Sequence, residues 1–122
     1  MPIAELIPVR DLQACCAPLT GEPISTDNAG QLARALKALA DPARLRIVSM
    51  VAAHADGESC VCDLTEPLGL SQPTVSHHLK VLVDAGYLTS TKRGTWHYYR
   101  LVAGALNSLS TLLGTVAGRS ER

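Results

Sequence analysis

SQPTVSHHLKVLVDAG, at residues 71–86, carries the signals for both ends of a single helix. Ser71 is a favourable N-cap, and Pro73 falls in the first turn, where its missing N–H costs nothing. Gly86 can adopt the left-handed conformation that ends a helix. Between these signals the apolar residues recur at helical spacing and predict one buried stripe. The stripe consists of Val75, Leu79, Leu82 and Val83.

The other face of this predicted helix is rich in short hydrogen-bonding groups and lacks the Glu/Lys mixture of an ordinary exposed helix. Such groups suit recognition of base edges in the major groove of DNA. The alternative is a plain surface helix. The candidate DNA-contacting residues are Ser71, Gln72, Thr74, Ser76, His77, His78 and Lys80.

The residues before and after this helix favour the DNA interpretation. Upstream, residues 59–68 predict a short helix with Ser59 as its cap, and Gly69 supplies a tight turn, which together give a helix-turn-helix. Downstream, two β-prone runs flank a basic, glycine-containing loop, which predicts a hairpin wing. Lys92, Arg93 and Thr95 at its tip are placed for contact with phosphates or a minor groove, unless the hairpin is only a solvated surface feature.

Three further long helices are predicted, besides a short one that fits around residues 9–17 of the arm. The first covers residues 29–40 with Asp27 or Asn28 as its cap. The second covers residues 43–53, capped by Asp41, and is apolar nearly all round, so we expect it to be central. The third covers residues 102–118 and has a strong apolar stripe and almost no charge. Such a stripe favours a homodimer, although it could instead close the core of a monomer. The stripe consists of Ala105, Leu106, Leu109, Leu112, Leu113 and Val116.

These segments predict one domain of residues 28–118. It is preceded by an N-terminal arm of residues 1–27 that we expect to be mobile or partner-stabilised, and it is followed by a tail of residues 119–122. The 122 residues carry a formal net charge of zero, which argues against a polycationic DNA coat. Residues 71–100 nevertheless hold four basic side chains against Asp84 alone, which fits a localised nucleic-acid footprint. The sequence has no membrane-length apolar run and no signal-peptide pattern, so we expect a cytoplasmic protein.

Four cysteines in two clusters, Cys15-Cys16 and Cys60-Val61-Cys62, are the chemical signal of the sequence. On a regular helix Cys60 and Cys62 would point about 200° apart, so either the helix start is frayed or only one of them binds an ion. About three thiolates, two from the arm and at least one from residues 60–62, would bind a soft ion, and arsenite or antimonite fits best. Zinc or cadmium, a redox switch and plain core cysteines are the alternatives. No catalytic partner accompanies any cysteine, so an enzyme is not expected.

Four segments closely resemble the ArsR/SmtB-type metal-sensing transcriptional repressors. They are LKALADPARLRI at 36–47, CVCDL at 60–64, SQPTVSHHLKVL at 71–82 and AGYL at 85–88. The resemblance covers about residues 30–102. It implies a mainly α (α+β) winged helix-turn-helix with about five to six helices and a two-stranded β-wing. It also implies a homodimer, formed through the first and last helices, that binds double-stranded operator DNA and is released when metal binds.

The resemblance also bears on the inducer. Arsenical repressors of this family have a third cysteine after Cys-Val-Cys, where this chain has Thr65. Other members use an N-terminal vicinal pair, which Cys15-Cys16 resembles. The resemblance thus implies a relocated arsenite site formed by Cys15 and Cys16 together with Cys60 or Cys62, within one chain or across the dimer. The acidic and histidine zinc ligands that some members carry on the last helix are absent from residues 102–118.

Overall fold

The computed structural model describes residues 7–16 and 18–114, and for residues 14 and 15 it describes the backbone only. This part of the chain holds six α-helices and three strands, in agreement with the predicted winged helix-turn-helix. A 3₁₀ turn at Val9–Asp11 precedes the first helix. The elements in chain order are α1 (Leu12–Cys15), α2 (Thr26–Leu39), α3 (Pro42–Ala53), β1 (Glu58–Cys60), α4 (Val61–Leu68), α5 (Gln72–Ala85), β2 (Leu88–Arg93), β3 (Trp96–Leu101) and α6 (Ala105–Gly114).

Capping residues set most of these helix boundaries. Asp41 caps α3 as predicted, because its carboxylate accepts hydrogen bonds from the N–H groups of Ala43 and Arg44. Helix α2 begins earlier than predicted because Ser25, and not Asp27 or Asn28, is its N-cap. Ser59 is likewise not the cap of α4. It lies inside strand β1, and Cys60 takes the N-cap position.

The wing belongs to a three-stranded antiparallel sheet and not to an isolated two-stranded hairpin. The strand order is β1-β3-β2, so β3 is central, and Cys60 of β1 pairs with Tyr98 of β3. Strand β1 occupies the predicted start of the helix at residues 59–68, so that helix begins later, at Val61. A three-residue strand is too short to show the alternation by which strands are predicted. Strand β1 joins the segment that contains Cys60 and Cys62 to the wing.

Helix α5 lies against the core with its predicted stripe inward. Val75, Leu79 and Leu82 are each 0% exposed, and α5 packs against α2, α3 and α4. The expectation that α3 is apolar on all sides and central is only partly right. Ile47, Val48 and Val51 are buried, but Leu45 is 53% exposed.

The arm packs against the core where the structure describes it. Val9 and Leu12 are 0% exposed in the main core, and Ser108 of α6 donates a hydrogen bond to the carbonyl of Arg10 at 2.9 Å. Gly86 makes this packing possible, because a Cβ at that residue would lie 2.9 Å from the backbone nitrogen of Val9. Residues 7–16 of the arm thus pack against the core, next to α6 and the end of α5.

Helix α6 divides its apolar residues between two faces. Ala105, Leu109 and Leu112 are buried, whereas Leu106 and Leu113 are 39% and 38% exposed. The predicted stripe therefore closes part of the core and leaves two leucines in solvent. Val116 lies outside the described residues. None of the helices in the described part of the chain combines the length and apolar character needed to traverse a bilayer.

Candidate nucleic-acid interface and thiol site

The helix-turn-helix is formed by α4 and α5, joined at Gly69. Gly69 has φ +69°, which ends α4 in the left-handed conformation. The Ser71 hydroxyl accepts a hydrogen bond from the N–H of Thr74 at 3.3 Å and lies 2.9 Å from the Thr74 hydroxyl. Gly86, with φ +94°, ends α5. Both predicted ends of this helix are thus confirmed, and its N-terminal turn projects from the core as a capped end.

Most of the predicted DNA-contacting side chains of α5 are exposed together on one side of the molecule. His78 is the exception, because it is half-buried and its Nδ1 is buried without a hydrogen-bond partner among the described residues. Its ring centre lies 5.9 Å from that of His77, with an angle of 55° between the ring planes. The exposed members are Ser71, Gln72, Thr74, Ser76, His77 and Lys80.

The basic side chains of residues 71–100 differ in how far their charge is compensated. Lys80 Nζ lies 3.2 Å from an Asp84 carboxylate oxygen, one helical turn away on the exposed surface. Arg93 and Arg100 both contact Glu58. Lys92 has no ion pair in the described part of the chain and is exposed. The positive charge of Arg93 is therefore partly neutralised by Glu58, which the sequence alone does not show. Lys92 is the basic residue of the wing tip whose charge is not neutralised by a carboxylate of the described residues.

The wing tip also exposes an aromatic residue that the sequence analysis did not select. Trp96 begins β3, directly opposite Arg93, and is 54% exposed. Thr95, in the turn before it, is exposed as well. A large aromatic side chain close to basic residues at the predicted hairpin tip is the sequence signal that could have identified Trp96.

Cys60 and Cys62 are brought together at the start of α4. Cys60 has extended backbone angles, φ −97° and ψ 170°, and precedes the helix, whereas Cys62 lies in its first turn. The angular separation expected on a regular helix therefore does not apply, and the two sulfur atoms form a disulfide. Cys60 is 4% exposed and Cys62 is exposed, so Cys62 is not a core residue.

Asp63 completes this cluster, and the sequence analysis missed it. Its carboxylate accepts a hydrogen bond from the Cys60 N–H at 3.0 Å and lies 3.7 Å from His54 Nε2. The ligand atoms of Cys60, Cys62 and Asp63 all lie within 4.8 Å of one another. An acidic residue three positions after an N-cap is the usual partner of the cap, so a correct placement of the cap at Cys60 would have identified Asp63.

Of the arm cysteines, the structure describes the side chain of Cys16, which is not part of this cluster. Cys16 is 6% exposed and packs in the hydrophobic core at the end of α1. The side chain of Cys15 lies outside what the structure describes. Within one chain, the described residues thus bring together two of the four predicted sulfur ligands.

Comparisons with known proteins place this arrangement among bacterial regulators. A model of the family "Bacterial regulatory protein, arsR family" matches residues 41–90. The arsenical resistance operon repressor of Staphylococcus aureus is 38% identical over 92 residues, which is 75% of this chain and 86% of that protein. The repressor of the same name from Staphylococcus xylosus is 46% identical over 71 residues, and the match covers 58% of this chain and 65% of that relative.

A solved structure gives the same picture of the fold. The crystal structure of the AntR antimony-specific transcriptional repressor superposes with a TM-score of 0.62 at 30% identity, covering 75% of this chain and 81% of that one. The family match at residues 41–90 spans the helix-turn-helix, the part of the chain that carries both the exposed face of α5 and the Cys60–Cys62 cluster.

Proposed function

The chain belongs to the ArsR family of bacterial regulatory proteins, which are transcriptional regulators and not enzymes, and we propose that it represses an arsenical-resistance operon. In this proposal a homodimer binds double-stranded operator DNA and is released when arsenite or antimonite binds to cysteine thiolates. The observation that carries the proposal is the position of Cys60 and Cys62 at the first turn of α4, because α4 packs directly against the DNA-reading helix α5.

The DNA-binding half of the proposal rests on the exposed polar face of α5 and on the wing. Gln72, Ser76 and His77 project from the capped start of α5, where a recognition helix meets base edges in the major groove. Lys92, with Arg93 and Thr95 beside it, lies near the wing tip, where contact with the phosphate backbone positions a protein without reading sequence. Two copies related by a two-fold axis would read the two halves of a palindrome.

The sensing half of the proposal rests on the sulfur ligands. Soft ions prefer thiolates, and reduction of the Cys60–Cys62 disulfide would supply two adjacent ones. A third thiolate would come from Cys15 or Cys16. Because Cys16 lies apart from the cluster within one chain, we propose that the site is shared between the arm of one copy and the cluster of the other. A coupling free energy of about 1–3 kcal/mol between such a site and operator binding suffices for regulation.

Operator affinity with and without arsenite tests this function. In a phosphine reductant, which does not compete as a dithiol, we expect arsenite to weaken operator binding at least about tenfold, equivalent to ~1.4 kcal/mol. Cys15→Ser, Cys16→Ser, Cys60→Ser and Cys62→Ser should each leave the affinity of the unliganded protein unchanged. Release should be lost in both Cys60→Ser and Cys62→Ser. Release that persists in the double variant Cys15→Ser/Cys16→Ser would exclude the arm from the site.

A mixed dimer tests whether the site is shared. One chain carries Cys15→Ser/Cys16→Ser and the other carries Cys60→Ser/Cys62→Ser. If the site spans the two copies, this dimer retains one intact site and one empty one, and it should bind one arsenite. If all ligands come from the same chain, it retains none. X-ray absorption of the arsenite-loaded wild-type dimer should show sulfur ligands only, and cadmium or zinc binding with a carboxylate oxygen would instead favour the metal-ion alternative.

A thiol-redox repressor is the second candidate, and the Cys60–Cys62 disulfide favours it. Two thiols and one peroxide would give the disulfide and two waters, with the peroxide oxygen reduced. Oxidation and arsenite act on the same sulfurs, so titrating operator release against each separates the two functions. Release by peroxide in the absence of arsenite, at lower concentration than arsenite requires, would favour the redox function.

A further inference from the structure

Arg93 is held by the strand that carries the cysteine cluster. From the end of β2 its guanidinium makes two hydrogen bonds to the Glu58 carboxylate, at 2.8 and 2.9 Å. Glu58 belongs to β1, and β3 lies between these two strands. The side chain of Arg93 therefore spans the whole sheet. A paired-fork contact of this kind fixes geometry as well as charge.

The same face of the sheet includes Cys60. In the β1–β3 register Cys60 is opposite Tyr98, and Glu58 is opposite Arg100. Since alternate residues of a strand share a face, Glu58, Cys60 and Tyr98 lie on one side of the sheet. The Arg93 guanidinium crosses that side 4.6 Å from the centre of the Tyr98 ring. Cys60 and Arg93 thus share Tyr98 as a neighbour.

The charge of Arg93 is already compensated in this arrangement. The Glu58 side chain is 14% exposed, and Arg100 also approaches it, at 3.4 Å. The Arg93 guanidinium holds the pKa of Glu58 below its usual value, so the carboxylate is ionised at neutral pH. Lys92, the adjacent residue, lies on the opposite face of the strand and contacts no carboxylate in the described residues.

We propose that Arg93 is a positioning residue that couples the Cys60–Cys62 cluster to the wing through Glu58, and that Lys92 is the residue that supplies the phosphate contact. This inference deepens the proposed function and rests on it. Cys60 is both the last residue of β1 and the N-cap of α4. A change in the bonding of its sulfur shifts the end of β1, and Glu58, two residues earlier on that strand, carries the shift to the wing.

The salt dependence of operator binding distinguishes a positioning residue from a phosphate contact. Each neutralised phosphate contributes about 0.9 to the slope of log K against log salt. Because a homodimer carries two copies of Lys92, Lys92→Gln should reduce the slope by about 1.8, whereas Arg93→Gln should leave it unchanged. Arg93→Lys keeps the charge but loses the paired fork, so it should behave as Arg93→Gln does. A slope reduced by about 1.8 in Arg93→Gln and restored in Arg93→Lys would overturn the proposal.

Trp96 provides a readout that needs neither DNA nor arsenite. It is the single tryptophan of the chain and lies opposite Arg93. In the wild type we expect its emission and anisotropy to change between the disulfide and dithiol forms of Cys60 and Cys62. That change should fall at least about twofold in Glu58→Gln and in Arg93→Gln, and it should remain in Lys92→Gln. In the double variant Glu58→Gln/Arg93→Gln the loss should be no greater than in either single variant, because the two act as a pair.

These outcomes distinguish a failure of the proposed coupling from a failure of the proposed repressor function. If the wild-type protein fails to bind an operator or to respond to arsenite, the proposed function fails while the Trp96 measurement still tests the coupling. If Trp96 does not sense the thiol state, or senses it equally in Glu58→Gln and the wild type, the coupling is absent whatever the operator data show. Circular dichroism of each variant confirms that the comparison is between folded proteins.

Discussion

At the scale of single residues, buried polar groups fix how the elements meet. Tyr87 is 0% exposed, and its hydroxyl donates a 2.6 Å hydrogen bond to the Ala35 carbonyl in α2. Burial raises the pKa of Tyr87 to about 12. This one side chain therefore joins α2 to the start of the wing, and it remains a neutral hydrogen-bond donor at physiological pH.

Tyr87→Phe should lower the free energy of unfolding by about 1 kcal/mol, because it removes one buried hydrogen bond and leaves the ring packing intact. Denaturant unfolding followed by circular dichroism measures the change. Tyr99→Phe is the matched control, since Tyr99 packs at the edge of the core and makes no hydroxyl hydrogen bond to the described residues. Equal effects in the two variants would contradict the role given to the Tyr87 hydroxyl.

Glu58 gives a prediction for pH. Its pKa is lowered in the folded chain, chiefly by the hydrogen bonds from Arg93, from an ordinary value of 4.5. A carboxyl group with a lowered pKa contributes stability above that ordinary value and loses the contribution as pH falls through the folded-state pKa. The difference in unfolding midpoint between the wild type and Glu58→Gln should thus be full at pH 6 and shrink below about pH 4.5. A difference that is independent of pH would contradict the ion pair.

At the scale of elements, the end of α5 decides how the arm packs. Gly86 ends the helix with φ +94° and lets Pro8 and Val9 pass against it. Gly69 ends α4 with φ +69°, and there a Cβ would meet nothing within 4 Å. Both glycines have a positive φ, but only Gly86 has neighbouring atoms close to where a Cβ would lie. Comparing alanine substitutions at the two positions therefore separates the cost of backbone strain from the cost of a steric clash.

Gly69→Ala should cost about 1–2 kcal/mol of stability, the usual penalty of the left-handed conformation for a residue with a Cβ. Gly86→Ala should cost clearly more, since its Cβ would also meet backbone atoms of the arm. Denaturant unfolding gives both values. In a background in which the other cysteines are serine, a thiol reagent should modify Cys16 faster in Gly86→Ala than in Gly69→Ala. Equal unfolding costs in the two variants would show that the arm does not pack as described.

At the scale of the whole molecule, α6 both closes the core and exposes apolar surface. Leu106 and Leu113 remain exposed although the rest of the helix packs inward. Burial of that surface against a second copy would stabilise a homodimer and set the spacing of two reading helices. For the proposed function we therefore expect the exposed face of α6 to form part of the dimer interface.

Leu106→Glu/Leu113→Glu should convert the dimer to a monomer and abolish tight operator binding, because charges would replace the apolar contact. Sedimentation equilibrium measures the assembly state. Leu45→Glu is the matched control, since Leu45 is also exposed, at 53%, but lies on α3. A dimer that survives the double substitution, or is lost equally in the control, would place the interface elsewhere.

The sequence by itself determined the helix-turn-helix and its wing. Caps, left-handed glycines and the apolar stripe of α5 are local signals, and each acts within a few residues of the feature that it specifies. For that reason Ser71, Asp41, Gly69 and Gly86 all have the roles that the sequence predicts. The polar face of α5 and the resemblance at residues 36–88 indicated a DNA-binding repressor for the same local reason.

Only the tertiary structure decided what lies between these signals. Strand β1 forms because Glu58–Cys60 finds a partner in β3, some forty residues later, and local sequence does not contain that pairing. The strand removes Cys60 from the helix, brings its sulfur to Cys62 and places Glu58 within reach of Arg93. The burial of Val9 and Leu12 likewise depends on α6 and Gly86. Contacts between residues distant in the chain form only when the core closes. The connection between the cysteine cluster and the wing therefore depends on the tertiary structure and is not specified by local sequence.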